Sequence, residues 1–173
     1  MTKTELKAAK ERYFSLSKQI KTATSESLIQ ETPEIQAARI RHLLKPENYL
    51  EFFEFYFGIH SGLPLADAPS AKFHLSTYKK LFADPYSKQF RRWFRGAAKS
   101  IHTNVGNLLH LKQNDEVNFA LIIGRNENAS KILIQDIQMH LESNEIFRKD
   151  FGSQVTYGSW ADGQFETADN KYF

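Results

Sequence analysis

The sequence predicts an α/β protein: a helical N-terminal region followed by an incomplete parallel sheet with flanking helices. Three observations carry this prediction. Apolar residues recur at helical spacing through the first 57 or so positions. The rhythm changes after the loop SGLPLADAPS, Ser61 to Ser70, the clearest break in the chain. From residue 88 onward, β-rich runs alternate with helical ones, the order that implies a right-handed parallel unit. The loop therefore separates a helical region, 1–60, from an α/β region, 61–173.

The elements follow in order. Leu6, Tyr13, Phe14, Leu16 and Ile20 stand among charged residues and predict an amphipathic helix over Thr4–Ile20, with the polar TATSES after it as a loop. Thr32-Pro33-Glu34 reads as an N-cap with proline at N1, opening a second helix that Pro46 stops. PENYLEFFEFYFG predicts a short helix ended by Gly58. It is aromatic nearly all round, so Phe52, Phe53, Phe55, Tyr56 and Phe57 are expected in the core rather than on a base-stacking surface. AKFHLSTYKKLFAD is helical, Lys88–Phe94 a short strand, and Ile101–Leu111 helical again. VNFALIIG, Val117–Gly124, is a continuous apolar run of the kind buried in a parallel sheet. Asn126 suits an N-cap for the long helix that follows. QVTYGSW and QFETADNKYF read as strands, the second folding back at Asp169-Asn170.

Composition narrows the function classes. The chain is 41% hydrophobic and 13% aromatic, too apolar for a disordered segment. It has no cysteine, which excludes disulfides, thiolate catalysis and Cys-based zinc sites and suits a reducing cytoplasm. There is no signal peptide and no apolar run long enough to cross a bilayer, so no membrane role is expected. Charge is uneven. Residues 1–100 hold 17 of the 23 Lys+Arg and 10 of the 20 Asp+Glu, net +7, whereas residues 101–173 hold 6 and 10, net −4. The densest basic stretch, Lys79 to Lys99, suits either a polyanion partner or an ordinary solvated face.

That stretch ends in FRGAAKSIHTN. A phosphate-binding loop needs a strand, a tight turn with inward-facing N–H groups, and a helix beginning at Lys-Ser/Thr, whose lysine neutralises phosphate charge while the hydroxyl binds Mg²⁺. Lys99-Ser100 stands between a predicted strand and a predicted helix, as required. The full glycine signature is not met: Trp93 and Ala98 stand where its glycines belong, and Gly96 lies three residues before the lysine. A side chain at Ala98 is expected to be tolerated only at negative φ. The alternative reading is a basic helix start with a surface lysine.

FRGAAKSIHTNV resembles the altered Walker A segment of tailed-phage terminase large subunits, the motors that package viral DNA. SAKFHLSTYKKLFA and FALIIGRNENASKILIQDIQMHLESNEIFRKDFG resemble the segments before and after that loop in the same family, so the resemblance covers about residues 70–173. It implies a P-loop NTPase domain that binds ATP and Mg²⁺. Lys99 would be the phosphate lysine, Ser100 the metal ligand, and Arg95 the loop arginine acting on the γ-phosphate. Gly96, Ala97, Ala98 and the backbone through Ile101 would supply donors, with His74 near the adenine or simply packed in the core. The implied partners are double-stranded DNA, the portal protein and the small terminase subunit, within a homo-oligomeric ring in the cytoplasm of a bacterial host or lysogen. The family's Walker B strand, ending in an acidic pair, and its nuclease domain are not found before Phe173. The expectation is the front part of such a motor, by natural truncation or by cutting, with little or no ATP turnover of its own. Two other readings remain open: a non-catalytic nucleic-acid-binding or assembly module, and a helicase-type NTPase fragment.

Overall fold

The computed structural model describes residues 3–66, 68–84, 86–161 and 163–173, the side chains of residues 3–6 excepted. Among them are seven α-helices and one two-stranded antiparallel sheet, an α/β chain that is mostly helical. The helices are α1 (Lys3–Glu26), α2 (Pro33–Leu43), α3 (Tyr49–Phe57), α4 (Lys72–Ala83), α5 (Asn107–Gln113), α6 (Glu127–Ser143) and α7 (Glu145–Phe151). The strands are β1 (Val155–Ala161) and β2 (Gln164–Thr167). No helix among the described residues is long and apolar enough to cross a membrane.

The chain forms two compact units, one of Met1–Leu28 with Asn118–Phe173 and one of Ile29–Val117. The loop Ser61–Ser70 thus runs inside the second unit. Leu65 donates its N–H to the Phe57 carbonyl, and Ser70 donates both N–H and hydroxyl to Glu54 Oε1 at 2.8 and 2.6 Å.

In the first unit α1 packs along α6, and polar contacts fix their register. Arg12 Nη2 meets Asp136 Oδ1 at 2.9 Å, the Tyr13 hydroxyl bonds Glu142, and the Ser17 and Ser143 hydroxyls lie 2.5 Å apart. The polar TATSES, expected as a loop, is helical as far as Glu26. Thr24 is buried, donates its hydroxyl to the Ile20 carbonyl at 2.7 Å, and accepts the Glu145 N–H at 3.0 Å. That tertiary contact outweighs the weak helix propensity of the Thr-Ser run. Asn126 caps α6 as expected, accepting the Ala129 N–H at 2.9 Å. β1 and β2 pair as a hairpin. Beyond β2 the chain turns at Asp169-Asn170, with Asn170 at φ +60, so that Phe165 and Phe173 exchange both backbone bonds at 2.9 Å.

The expected parallel P-loop sheet is not part of the observed ladder. Val117–Gly124 forms no strand: it carries one parallel bridge, Phe119 to Tyr172, and the expected burial is not found, because Phe119, Leu121 and Ile123 are all exposed. Lys88–Phe94, also expected as a strand, has no regular secondary structure and carries no bridge. A continuous apolar run signals burial, but pairing depends on a partner distant in sequence and in matching register.

The second unit is built on α3. Thr32 caps α2 at Ile35 N and Pro33 sits at N1, as the sequence predicts. Tyr49, Phe52, Phe53, Tyr56 and Phe57 are all fully buried, while Phe55 is covered on one face by the Arg39 guanidinium, 4.5 Å from its centroid. α4 and the helical stretch that ends in α5 close over this aromatic face with Tyr78, Val105 and Leu109.

Candidate functional site

Residues 94–100 lead from irregular backbone into a helix start. The Phe94 carbonyl accepts the Ala97 N–H at 3.3 Å, and Gly96 stands third in that turn at φ +84, the conformation a type II turn gives to glycine. Ala98 takes φ +49, not the negative value its side chain favours. Its carbonyl accepts the His102 N–H at 3.0 Å and so opens a helical run from Lys99 to Gln113. Six residues of that run, Ile101–Gly106, form a π-helix, a rare form that is frequent at functional sites.

Backbone strain in this turn is measurable. An added Cβ at Gly96 meets no atom within 4 Å, so Gly96→Ala costs only the left-handed penalty, about 1–2 kcal/mol. Ala98→Gly removes a similar strain and raises stability by up to about 1 kcal/mol, less the added flexibility of the unfolded chain. Urea unfolding of the two variants should show opposite signs. A loss of stability in both would mean that Ala98 carries no strain.

The turn presents donors outward. Arg92, Arg95, Lys99 and Ser100 are exposed, and their side chains make no hydrogen bond or ion pair among the described residues. The N–H groups of Ala98, Lys99, Ser100 and Ile101 likewise find no acceptor there. They lie at the positive end of the helix dipole, in the first turn where intrahelical partners are lacking. Ala97 is buried, and Ile101 is half-buried. Arg91 differs from its basic neighbours. It is half-buried, holds Gln89 Oε1 through Nε and Nη2, and reaches Thr103 Oγ1 from Nη1 at 3.0 Å.

His74 is buried, and both ring nitrogens are taken by backbone. Nδ1 accepts the Ala71 N–H and Nε2 donates to the Ala97 carbonyl, each at 2.9 Å. The ring stacks on His102 at 3.8 Å with planes 17° apart, and His102 stacks in turn on Phe53 at 3.9 Å. His102 Nδ1 bonds the Tyr49 hydroxyl at 2.8 Å, and Nε2 lies 3.3 Å from Ser70 Oγ. Sequence reasoning missed His102, Tyr49, Arg91 and Thr103 as supports of the loop. The one available signal was spacing: His102 stands three residues after the Lys99 that the motif singles out.

Burial holds two histidines of this unit neutral. His102, beside His74 and Arg91, falls to about 3, and His110 falls to about 4. His110 is enclosed with Nδ1 2.5 Å from the Tyr78 hydroxyl and Nε2 3.1 Å from the Leu43 carbonyl. The unfolded chain takes up these protons below about pH 6.5, and the folded one does not until pH falls to about 4 or 3. Their contribution to stability is therefore complete above pH 6.5 and is lost as pH falls toward 4, at up to about 1.4 kcal/mol per pH unit for each histidine. Urea midpoints at pH 7.5, 6 and 5 should decline below neutrality. A flat profile over that range would contradict the assignment.

Among the described residues no group of three His, Asp or Glu could hold a metal ion by itself. The donor set suits an anion: free N–H groups and two unpaired cations, Arg95 and Lys99, with the Ser100 hydroxyl beside them. For Mg²⁺ it offers that single hydroxyl, which fits a cation carried in on phosphate oxygens. No protein-family model, no curated protein and no solved structure matches this chain.

Proposed function

We propose that the turn Arg95–Ile101 binds the phosphates of ATP with Mg²⁺, and that the chain is the nucleotide-binding portion of a DNA-packaging motor of the terminase large-subunit type. The observation that carries the reading is the set of unpaired N–H groups at Ala98, Lys99, Ser100 and Ile101 beside the free Lys99 and Arg95 side chains, on a left-handed turn leading into a helix. Backbone donors at a helix start and a point charge on lysine are the chemistry that polyphosphate recognition needs. Ser100 Oγ would hold Mg²⁺, which when bound offsets phosphate charge, and Arg95 would reach the terminal phosphate. The Walker A resemblance of FRGAAKS assigns Arg95, Ala98, Lys99, Ser100 and Ile101 too; it also counts Gly96 and Ala97 as donors, although the Ala97 N–H is taken by the Phe94 carbonyl. In this reading Lys88–Phe94 and Val117–Gly124 are strands of a parallel P-loop sheet. Phe90, Phe94, Phe119, Leu121 and Ile123 are all exposed, the apolar surface that strands of a wider sheet would cover. Double-stranded DNA, the portal protein, the small terminase subunit and further copies in a ring would be its partners.

A second reading draws on the same exposure: Arg92, Arg95 and Lys99 could contact DNA phosphates directly. Calorimetric titration of the chain with ATP, with and without Mg²⁺, and with a short DNA duplex separates the two. The first reading expects saturable ATP binding that Mg²⁺ strengthens. Duplex binding with a steep salt dependence and no ATP binding would replace it with the second.

A further inference from the structure

We propose that His74 is the positioning residue of this loop, setting the orientation of the Ala97–Ala98 peptide so that its N–H faces a bound anion. The proposal rests on the reading of the loop as a phosphate site. His74 departs there from the adenine contact that the resemblance implies.

The Ala71 N–H can only donate, so Nδ1 of His74 accepts; the Ala97 carbonyl can only accept, so Nε2 carries the proton and donates. One tautomer, neutral and protonated at Nε2, satisfies both partners. The two bonds fasten the ring to the start of α4 on one side and to the loop on the other, and the stack on His102 fixes its plane. No cis peptide occurs among the described residues. In a trans peptide the C=O and N–H point in opposite directions. Once the Ala97 carbonyl is drawn inward to buried His74, the Ala98 N–H must point away from His74, and it meets no acceptor among the described residues. The same rotation leaves Ala98 at φ +49, a conformation alanine does not choose unaided. His74 thus holds a strained residue in a donor geometry before any ligand arrives, the preorganisation on which phosphate sites depend.

Two substitutions separate the bonds. In His74→Gln the amide nitrogen reaches to the place of Nε2 and keeps the loop contact. In His74→Asn the shorter amide stays near Nδ1, keeps an acceptor for Ala71 and loses Ala97. Backbone ¹⁵N–¹H spectra and titrations with inorganic triphosphate and Mg²⁺ should be recorded for the parent and both variants. The expected result is that His74→Asn moves the Ala98 and Lys99 resonances and weakens triphosphate binding about five- to tenfold, the worth of one lost hydrogen bond. His74→Gln should stay within about twofold of the parent. A side chain that merely packs would lower the urea midpoint of both variants alike and leave the loop resonances in place, and that outcome would overturn the proposal. Equal losses in the two variants would overturn it as well. The ring ¹⁵N spectrum of the unsubstituted chain tests the proposal without any variant: a charged or Nδ1-protonated His74 at pH 7 counts against it. Triphosphate that binds the parent nowhere would remove the phosphate reading alone, and the ligand-free spectra would still decide the role of His74.

Discussion

On the proposed function, Lys99→Ala is expected to lower the affinity of the chain for Mg²⁺-ATP by about 10–100-fold and to leave the ligand-free unfolding midpoint unchanged. Lys99 is exposed, stands first in its helix, and touches no acidic side chain among the described residues, so the fold does not depend on its charge. Its ammonium group would add one charged hydrogen bond to phosphate, of the order of 1.5–3 kcal/mol, which sets the fold-change. The backbone donors at Ala98, Ser100 and Ile101 survive the substitution, so binding should weaken and not vanish. Thermal shift gives the check. ATP at about 100 times its Kd would stabilise the parent by about 2.7 kcal/mol, and the variant at the same concentration should show much less. Equal shifts in parent and variant would sink the assignment of Lys99. Arg95→Ala is expected to change ground-state affinity less, because an arginine that acts on charge developing in a transition state contributes little before it.

Phe53→Ala should destabilise the second unit by about 3–5 kcal/mol, the usual range for a buried phenylalanine. Phe53 has no exposed surface, stacks on His102, and packs against Gly106 so closely that a Cβ on that glycine would lie 2.6 Å from its ring. Little backbone can move in to fill the space, because the π-helical turn is already held by the Tyr49 hydroxyl, Thr103 and Arg91. The loss should also reach the loop. His102 sits between Phe53 and His74, and without Phe53 the ring that steadies His74 is free on one face. Urea unfolding at pH 7.5 measures the first effect, and hydrogen exchange of the Ala98 and Lys99 amides measures the second. A loss under about 1 kcal/mol would mean that α3 and the π-helix are not packed as described.

What could be read directly from residues was local. Thr32 and Asn126 cap helices because a side-chain oxygen reaches an N–H three residues on, whatever the remainder of the chain does. The aromatics of α3 cover too much of that helix to leave it at the surface, and Asn170 accepts a positive φ at the turn after β2. The position of Lys99-Ser100 at a helix start was legible too, because it depends on the order of neighbouring residues. Tertiary structure decided whatever depends on distant partners. Thr22–Glu26 is helical because Thr24 is held by Glu145, 121 residues away. Val117–Gly124 announces a buried strand, yet its pairing rests on a register that no local pattern encodes. Ala98 adopts a conformation its own chemistry disfavours. His74 binds the carbonyl beside it from 23 residues away, and a single hydrogen bond made in a buried site is enough to outweigh the local preference of one alanine.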